Sequence, residues 1–380
     1  MESAVGEFLG FLNMSWQAAA MLLVAGLLIW LGIAKKVEPV LLVPIGMGAL
    51  LANIPLSGAA DEGGFLKVLI DGGIHTQLLP LIIFIGIGAM IDFETLLQRP
   101  YAILLGAAAQ FGIFGTFFLV YMLGDGWLHW LDFSLKDAAA VGMIGAADGP
   151  IAIYVGIIMQ SKYLPAIVVA AYSYMAMVPI IQPPIIKALC SKEERATKMP
   201  IVAGTVSQRA KIIFPVVTTI VVGLIFPKAT PVIGALMFGN LLREFSGLAT
   251  LSKTAQNELV NITTILLGLA VGGMMAGAEF LKPGTLLIFA IGVVAFALDT
   301  VAGLMLGKLL YVLSGKKVNP MIGACGISAF PMSARVIQKM GLEANPYNHL
   351  LMHALASNTA GQIASVVAGG AVLLLIPLFS

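Results

Sequence analysis

The runs Met21–Ile33 and Tyr101–Leu123 hold no charged side chain, and runs like them recur along all 380 residues. An α-helix needs about 20 apolar residues to cross the hydrocarbon core of a bilayer. In lipid every backbone N–H and C=O must be satisfied within the protein, so only helices and closed barrels span. A barrel is written as short alternating segments, whereas these runs are long and unbroken. Charged residues make up 11% of the chain, against about 25% in an ordinary globular domain, too few to solvate a soluble surface. The chain reads as an all-α polytopic membrane protein.

Several classes of function drop out. Cys190 and Cys325 are far apart and in no metal-ligand spacing, which excludes a disulfide scaffold, a Cys-ligated cluster and a zinc ribbon. Walker loops, dinucleotide fingerprints, hydrolase triads and nucleic-acid modules are absent from the sequence, so no nucleic-acid partner is expected. Residues 1–16 carry two Glu and neither Lys nor Arg, unlike the basic start of a cleavable signal. They are expected to lie as a short interfacial helix.

The chain contains a repeat. Gly48–Ile54 resembles Gly239–Phe245, Gly88–Pro100 resembles Gly272–Pro283, Gly142 to Pro150 matches Gly323 to Pro331, and Pro165 matches Pro346. The offsets are 191, about 184, 181 and 181 residues. Such internal similarity is the pattern of repeat-built transporters. The apolar segments fall near 16–33, 39–54, 76–92, 101–123, 137–159 and 165–189 in the first half. In the second they fall near 211–227, 231–246, 256–277, 283–312, 319–340 and 346–376. Expected units are 1–190 and 211–380, joined by a polar linker at 191–210.

The fifth segment of each half is interrupted, by Ala146-Ala-Asp-Gly-Pro150 and by Ser328-Ala-Phe-Pro-Met-Ser333. Proline and glycine break the helix ladder, and such breaks survive at membrane depth only where protein or a water-filled cavity covers them. Each segment is either a kinked span or a re-entrant hairpin. With Lys35-Lys36 placed in the cytoplasm, two hairpins leave 16 basic residues inside and 5 outside, and two full spans leave 8 and 13. The excess of Lys and Arg on cytoplasmic loops favours hairpins, hence two inverted repeats of about five transmembrane helices plus one broken hairpin each (137–159 and 319–340).

Asp148 sits at the apex of the first break. A carboxylate at the bilayer centre costs about 2.5–3.5 kcal/mol on insertion scales, so it should face a polar cavity and hold a cation or proton. It is also well placed to cap the helix after Pro150, and the two roles are compatible. The second break offers Ser328 and Ser333, with Asn319 and Gly323 before it and Arg335 after it. Hydroxyls, amides and freed carbonyls suit a hard cation, and they equally suit helix–helix packing, the favoured reading for Ser333. Arg335 either snorkels to the interface or clamps a carboxylate.

In the last segment Asn358, Gln362 and Ser365 share one helical face, and Ser357 and Thr359 add two further oxygens. Cation coordination and interhelical bonding both fit. Tyr172 and Tyr174 stand in the matching segment of the first half, where Tyr174 could relay a proton. Asp299, within the 283–312 span, could bind a cation, with pairing or a cavity wall the favoured reading; His349 and His353 read as non-metal histidines, and His75 and His129 as ordinary loop residues.

The stretches Gly145–Tyr154, Tyr172–Pro184, Asn319–Arg335 and Asn358–Ser365 closely resemble the β subunit of the biotin-dependent sodium-pumping decarboxylases, which act on oxaloacetate, methylmalonyl-CoA, glutaconyl-CoA or malonate. The resemblance covers nearly the whole chain. It implies that carboxybiotin, carried by a partner, is decarboxylated with uptake of an external proton and export of sodium. It implies Asp148, Tyr174 and Arg335 as functional and Asp148, Asn358, Ser328, Asn319 and Gly323 among the sodium-linked polar set; the residue reading adds Ser365 to the sodium face and, from the topology, expects Arg335 and Asn319 at the carboxybiotin. A carboxyltransferase α subunit, a biotin carrier domain or subunit and a small single-span γ/δ-type subunit are the implied partners. A homo-oligomer, with a trimer as one form, and a bacterial or archaeal cytoplasmic (inner) membrane are implied as well. The chain has no Met-Lys-Met biotin-attachment sequence. A core carrying both breaks is expected to slide against a scaffold made by the first segments of each half. Physics alone leaves a rival open, a stand-alone sodium-coupled carboxylate carrier or sodium/proton antiporter.

Overall fold

The computed structural model describes residues 10–125, 132–200 and 204–379, without the Glu279 side chain. Its principal helices are α1 (Trp16–Ala34), α2 (Pro39–Asn53), α3 (Leu78–Met90), α4 (Ala102–Ala109), α5 (Phe111–Leu123), α6 (Leu135–Gly142) and α7 (Gly149–Ile158). They continue with α8 (Leu164–Leu189), α9 (Gln208–Ile225), α10 (Thr230–Glu244), α11 (Val260–Gly273), α12 (Pro283–Leu313), α13 (Met332–Ala344) and α14 (Leu351–Leu375). No strand occurs among the described residues. Six stretches there are long and apolar enough to cross a membrane, or seven if Phe65–His75 and Leu78–Met90, bent by 64°, form one span. The protein is an all-helical polytopic membrane protein, as its apolar runs require.

The apolar segments match helices to within a few residues, with three instructive departures. The 101–123 run is split at Gln110 into α4 and α5. A helical stretch, Phe65–His75, precedes the 76–92 segment and is separated from it by Gln77, whose φ of 65° breaks the helix. The last helix begins at Leu351 rather than 346, because residues before and around Pro346 are driven out of helical geometry. Of the expected N-terminal interfacial helix, Gly10–Asn13 forms one tight turn, and residues 1–9 lie outside the described residues. His129 lies outside them too.

Two helix pairs set the packing. α2 lies against α11, and α3 against α10. Both crossings are backbone to backbone. A Cβ on Gly48 would fall 2.3 Å from the Leu269 carbonyl oxygen and one on Gly272 2.1 Å from that of Ile45; one on Gly88 would fall 1.8 Å from that of Leu236 and one on Gly239 1.9 Å from that of Ile85. In lipid, where tails are as apolar as leucine, this close approach of small residues supplies the attraction between helices. Each crossing is tied at its end by an amide. Asn53 Nδ2 donates to the Met275 carbonyl at 2.8 Å, and Asn240 Nδ2 to that of Ile91 at 3.0 Å.

Both interrupted segments turn back on themselves. Asp137, at the start of α6, accepts 2.7 Å from the hydroxyl of Ser161, just past α7, so the first element is a hairpin closed at its base. A reciprocal cap between Ser134 and Asp137 starts it. In the second, Asn319 donates to the carbonyls of Arg195 and Thr197, and Asn348, just past α13, donates to that of Arg195. Both of its ends therefore meet the chain just after α8. The base of the first hairpin lies where α8 begins. Since α8 runs for 26 residues, about 39 Å at 1.5 Å per residue, the two bases lie at opposite ends of it. The hairpins point at each other, and their tips touch where Ser328 N–H donates to the Ala146 carbonyl at 3.1 Å.

The connection between α8 and α9 is anchored by Glu94. Its carboxylate takes the ammonium of Lys211 and the Val206 N–H, and Gln98 reaches the Gly204 carbonyl. The Lys211 hydrogen bond foremost holds the Glu94 carboxyl below its ordinary value.

Two outcomes follow. Gly239→Leu should destabilise the detergent-purified protein by about 1–3 kcal/mol through overpacking, read as a lower Tm, while Gly26→Ala, with open space around it, should not. Because the folded Glu94 pKa is depressed, the stability it adds is complete above the unfolded carboxyl value of about 4.3 and fades as pH falls through the folded value. Glu94→Gln should remove that acid sensitivity and speed proteolysis of the connection at neutral pH.

Candidate functional site

The site lies where the hairpin tips meet α14. Asp148 is the N-cap of α7, with Pro150 in the first turn, and its Oδ1 accepts the Ile151 N–H at 3.2 Å. The cap uses one carboxylate oxygen. The other, Oδ2, accepts from the Ser365 hydroxyl at 3.0 Å, and the Ser328 hydroxyl also faces the carboxyl. Asp148 is 2% exposed, so the helix cap is a fully buried carboxyl.

α14 lays its polar face across the second break. Asn358 Nδ2 donates to the Ile327 carbonyl at 2.6 Å, Gln362 Nε2 donates to the Ser328 carbonyl, and the Ser328 hydroxyl donates to the Gly361 carbonyl at 3.0 Å. Gly361 is needed here, since a Cβ on it would stand 2.3 Å from the Gly326 carbonyl oxygen. The amide N–H groups are thus engaged in holding the broken backbone. The oxygens Asn358 Oδ1, Gln362 Oε1, Thr359 Oγ1 and Ser357 Oγ are buried without a partner, and so is the Tyr172 hydroxyl. The Tyr172 ring packs at Gly149, where a Cβ would fall 2.5 Å from it. Buried oxygens with free lone pairs, on the helix whose Ser365 meets the Asp148 carboxyl, are of the chemistry that takes a hard monovalent cation.

The other expected residues lie apart from this cluster. The Tyr174 hydroxyl donates to the Phe289 carbonyl, and its ring packs at Gly292 of α12. The phenol beside Asp148 is Tyr172. Asn319 caps the tight helical stretch Pro320–Gly326 and ties the base of the second hairpin, while Gly323 packs on the Gly303 backbone. Arg335 is exposed on α13 and lines an open groove with Gln338, Lys339, Leu342, Glu343 and Leu351. Ser333 shares a buried network with Gln182 and the Ala324 carbonyl, its packing role. His353 accepts from Arg99 Nε at 3.1 Å and bonds the Pro200 carbonyl with its other nitrogen, so neither nitrogen faces a metal. Gln182 and Arg99 went unnoticed in the sequence; the one signal was a polar side chain in an apolar neighbourhood.

Fold and site define a class: a polytopic helical membrane protein with two interrupted hairpins meeting at a buried carboxylate among unpaired oxygens. The family described as "Na+-transporting oxaloacetate decarboxylase beta subunit" matches residues 17–376, and the chain belongs to it. It is 43% identical to the oxaloacetate decarboxylase beta chain of Haemophilus ducreyi, over 98% of each chain. It is 45% identical to the glutaconyl-CoA decarboxylase subunit beta of Acidaminococcus fermentans, over 97% of this chain and 95% of that one. It is also 45% identical to the methylmalonyl-CoA decarboxylase subunit beta of Propionigenium modestum, over 96% of each.

The two phenols should separate experimentally. Tyr172→Phe deletes only a hydroxyl without a partner and should leave Tm nearly unchanged. Tyr174→Phe leaves the Phe289 carbonyl unpaired and should cost about 1–3 kcal/mol of stability, read as a lower Tm.

Proposed function

We propose that this chain is the membrane β subunit of a sodium-pumping decarboxylase. It decarboxylates carboxybiotin delivered by a partner subunit and couples that reaction to uptake of an external proton and export of sodium. The observation that carries the reading is the buried Asp148 carboxyl at the junction of two opposed hairpins, beside oxygens that lack a partner. Membership of the family supports it. The stand-alone carrier is the weaker reading, because relatives matched along nearly the full length bear decarboxylase names.

In the reaction the bond between the ureido nitrogen of biotin and its carboxyl carbon breaks, CO₂ leaves, and the nitrogen takes a proton. Arg335, on the exposed groove, holds the carboxylate of carboxybiotin, where a guanidinium fits both oxygens. Asp148 holds sodium as cargo while ionised and releases it on protonation from outside. Ser328, Ser365 and Asn358 supply further oxygens, and Tyr174, held on the Phe289 carbonyl apart from the cluster, supports the site through α12. Asn319 and Gly323 act from the arm of the second hairpin, shaping its tip from below. Moving one unit charge against 100 mV costs about 2.3 kcal/mol, so CO₂ loss must be tightly coupled to ion movement.

The halves 1–190 and 211–380, joined at 191–210, form inverted repeats. Two observations support this. Repeat-matched glycines exchange partners, Gly48 meeting Gly272 in one crossing, and Gly88 and Gly239 meeting the backbones of Leu236 and Ile85 in the other. The hairpin bases also lie at opposite ends of α8. The second hairpin enters from the cytoplasm, which the count of basic residues supports, and the first from outside. The tips and α14 form a core that slides against a scaffold of α1, α2, α9 and α10. The protein resides in a bacterial or archaeal cytoplasmic membrane. There it works with a carboxyltransferase α subunit, a biotin carrier and a small single-span subunit, as a homo-oligomer.

Asp148→Asn should abolish sodium-stimulated decarboxylation of carboxybiotin in the purified complex; full activity would remove the carboxylate from the mechanism. Arg335→Ala should impair carboxybiotin turnover and leave ²²Na⁺ binding measurable. Equal loss of both would mark Arg335 as structural.

A further inference from the structure

A second buried carboxyl stands outside the site just described. Asp299 lies midway along α12 and is fully buried. Its Oδ1 accepts the Gly112 N–H at 3.1 Å, at the start of α5, where the 101–123 run is broken. Its Oδ2 has no partner. Three more oxygens lie within one helical turn of this contact along their own chains, and each is buried and unpartnered: Thr300 Oγ1, Thr116 Oγ1 and Gln110 Oε1. The four residues are between 0% and 4% exposed. No Lys or Arg pairs with Asp299 among the described residues.

The locus is connected to both hairpins. A Cβ on Gly145, at the first tip, would fall 2.6 Å from the Gly112 carbonyl carbon. Gln110 Nε2 donates to the Gly106 carbonyl at 2.9 Å and to that of Gly326, before the second break, at 3.4 Å. Gly326 is the residue on which Gly361 of α14 closes. The start of α5 therefore touches the first tip through Gly112 and the second break through Gln110.

An unpaired ionised carboxylate oxygen is untenable in the bilayer interior, so a positive or proton-donating partner is missing. A proton on Oδ2 would satisfy that oxygen and at most one of the other three. A hard monovalent cation takes several oxygen ligands at once, and these four are the unpartnered oxygens next to the Asp299–Gly112 contact along the chain. We propose that Asp299, Thr300, Thr116 and Gln110 form a second monovalent-cation site, built at the crossing of α5 and α12 and separate from that of Asp148. The inference relies on the function proposed above only for its choice of sodium as the ion.

The test is equilibrium ²²Na⁺ binding to the detergent-purified chain, with Tm measured in sodium, lithium and potassium. Wild type should bind one equivalent more than Asp299→Asn and one more than Asp148→Asn, and the double variant should bind none. In Asp148→Asn the sodium-dependent rise in Tm should persist, and adding Asp299→Asn should erase it. Thr300→Val, which keeps the shape, should weaken the residual binding in Asp148→Asn at least several-fold; it also serves if Asp299→Asn fails to fold. Unchanged stoichiometry in Asp299→Asn, or unchanged residual affinity in Thr300→Val, would overturn the proposal and leave Asp299 a protonated cap of α5. Binding lost entirely in Asp148→Asn alone would overturn it too. Unaltered binding in Asp148→Asn with a loss in Asp299→Asn would instead count against the function assigned to Asp148.

Discussion

A helix interrupted inside a bilayer leaves N–H and C=O groups that no water can satisfy, and the rest of this structure follows from how two such interruptions satisfy each other. The Ser328 N–H meets the Ala146 carbonyl, so each tip covers part of the other. What remains open is closed by α14, where Asn358 and Gln362 donate to the carbonyls of Ile327 and Ser328. Because these amides give their N–H groups to the backbone, their oxygens stay free. The same act that makes the broken chain tolerable in lipid leaves a cluster of lone pairs beside Asp148. Repair of the backbone and the freeing of those oxygens are one arrangement of atoms.

The remaining helices serve that junction at a distance. α2 on α11 and α3 on α10 pack through glycine contacts so close that a single methyl group would not fit. Those rigid crossings lie apart from the tips. α1 and α9 present mostly exposed apolar faces, as lipid-facing helices do. The bases of the hairpins are fastened by different means, a serine–aspartate clasp in one case and asparagines on a connecting segment in the other.

Much of the architecture was legible before any coordinates. Uncharged runs of about 20 residues can do little else but span, and Gly-Pro and Phe-Pro in mid-segment mark breaks wherever they fall. Asp148 stood out because a carboxylate in such a run is costly, and Asn358, Gln362 and Ser365 because helical spacing puts them on one face. The split at Gln110 was harder to see. No proline or glycine stands at that position, and only the contact with Asp299 on a distant helix gives the freed Gly112 N–H its acceptor.

Single-residue roles divide along the same line. Local chemistry told that Asp148 would cap a helix, since the acceptor and the N–H it serves lie three residues apart. It could not tell which of Tyr172 and Tyr174 faces Asp148, because two positions along one helix point some 200° apart and only the neighbouring elements decide which direction is the site. By itself the sequence determined the spans, the breaks and the kind of atoms available, for those depend on hydrophobicity and on backbone geometry within a few residues. Tertiary structure alone decided which breaks meet and which oxygens are left without a partner, because these depend on contacts between residues from about thirty to more than two hundred positions apart.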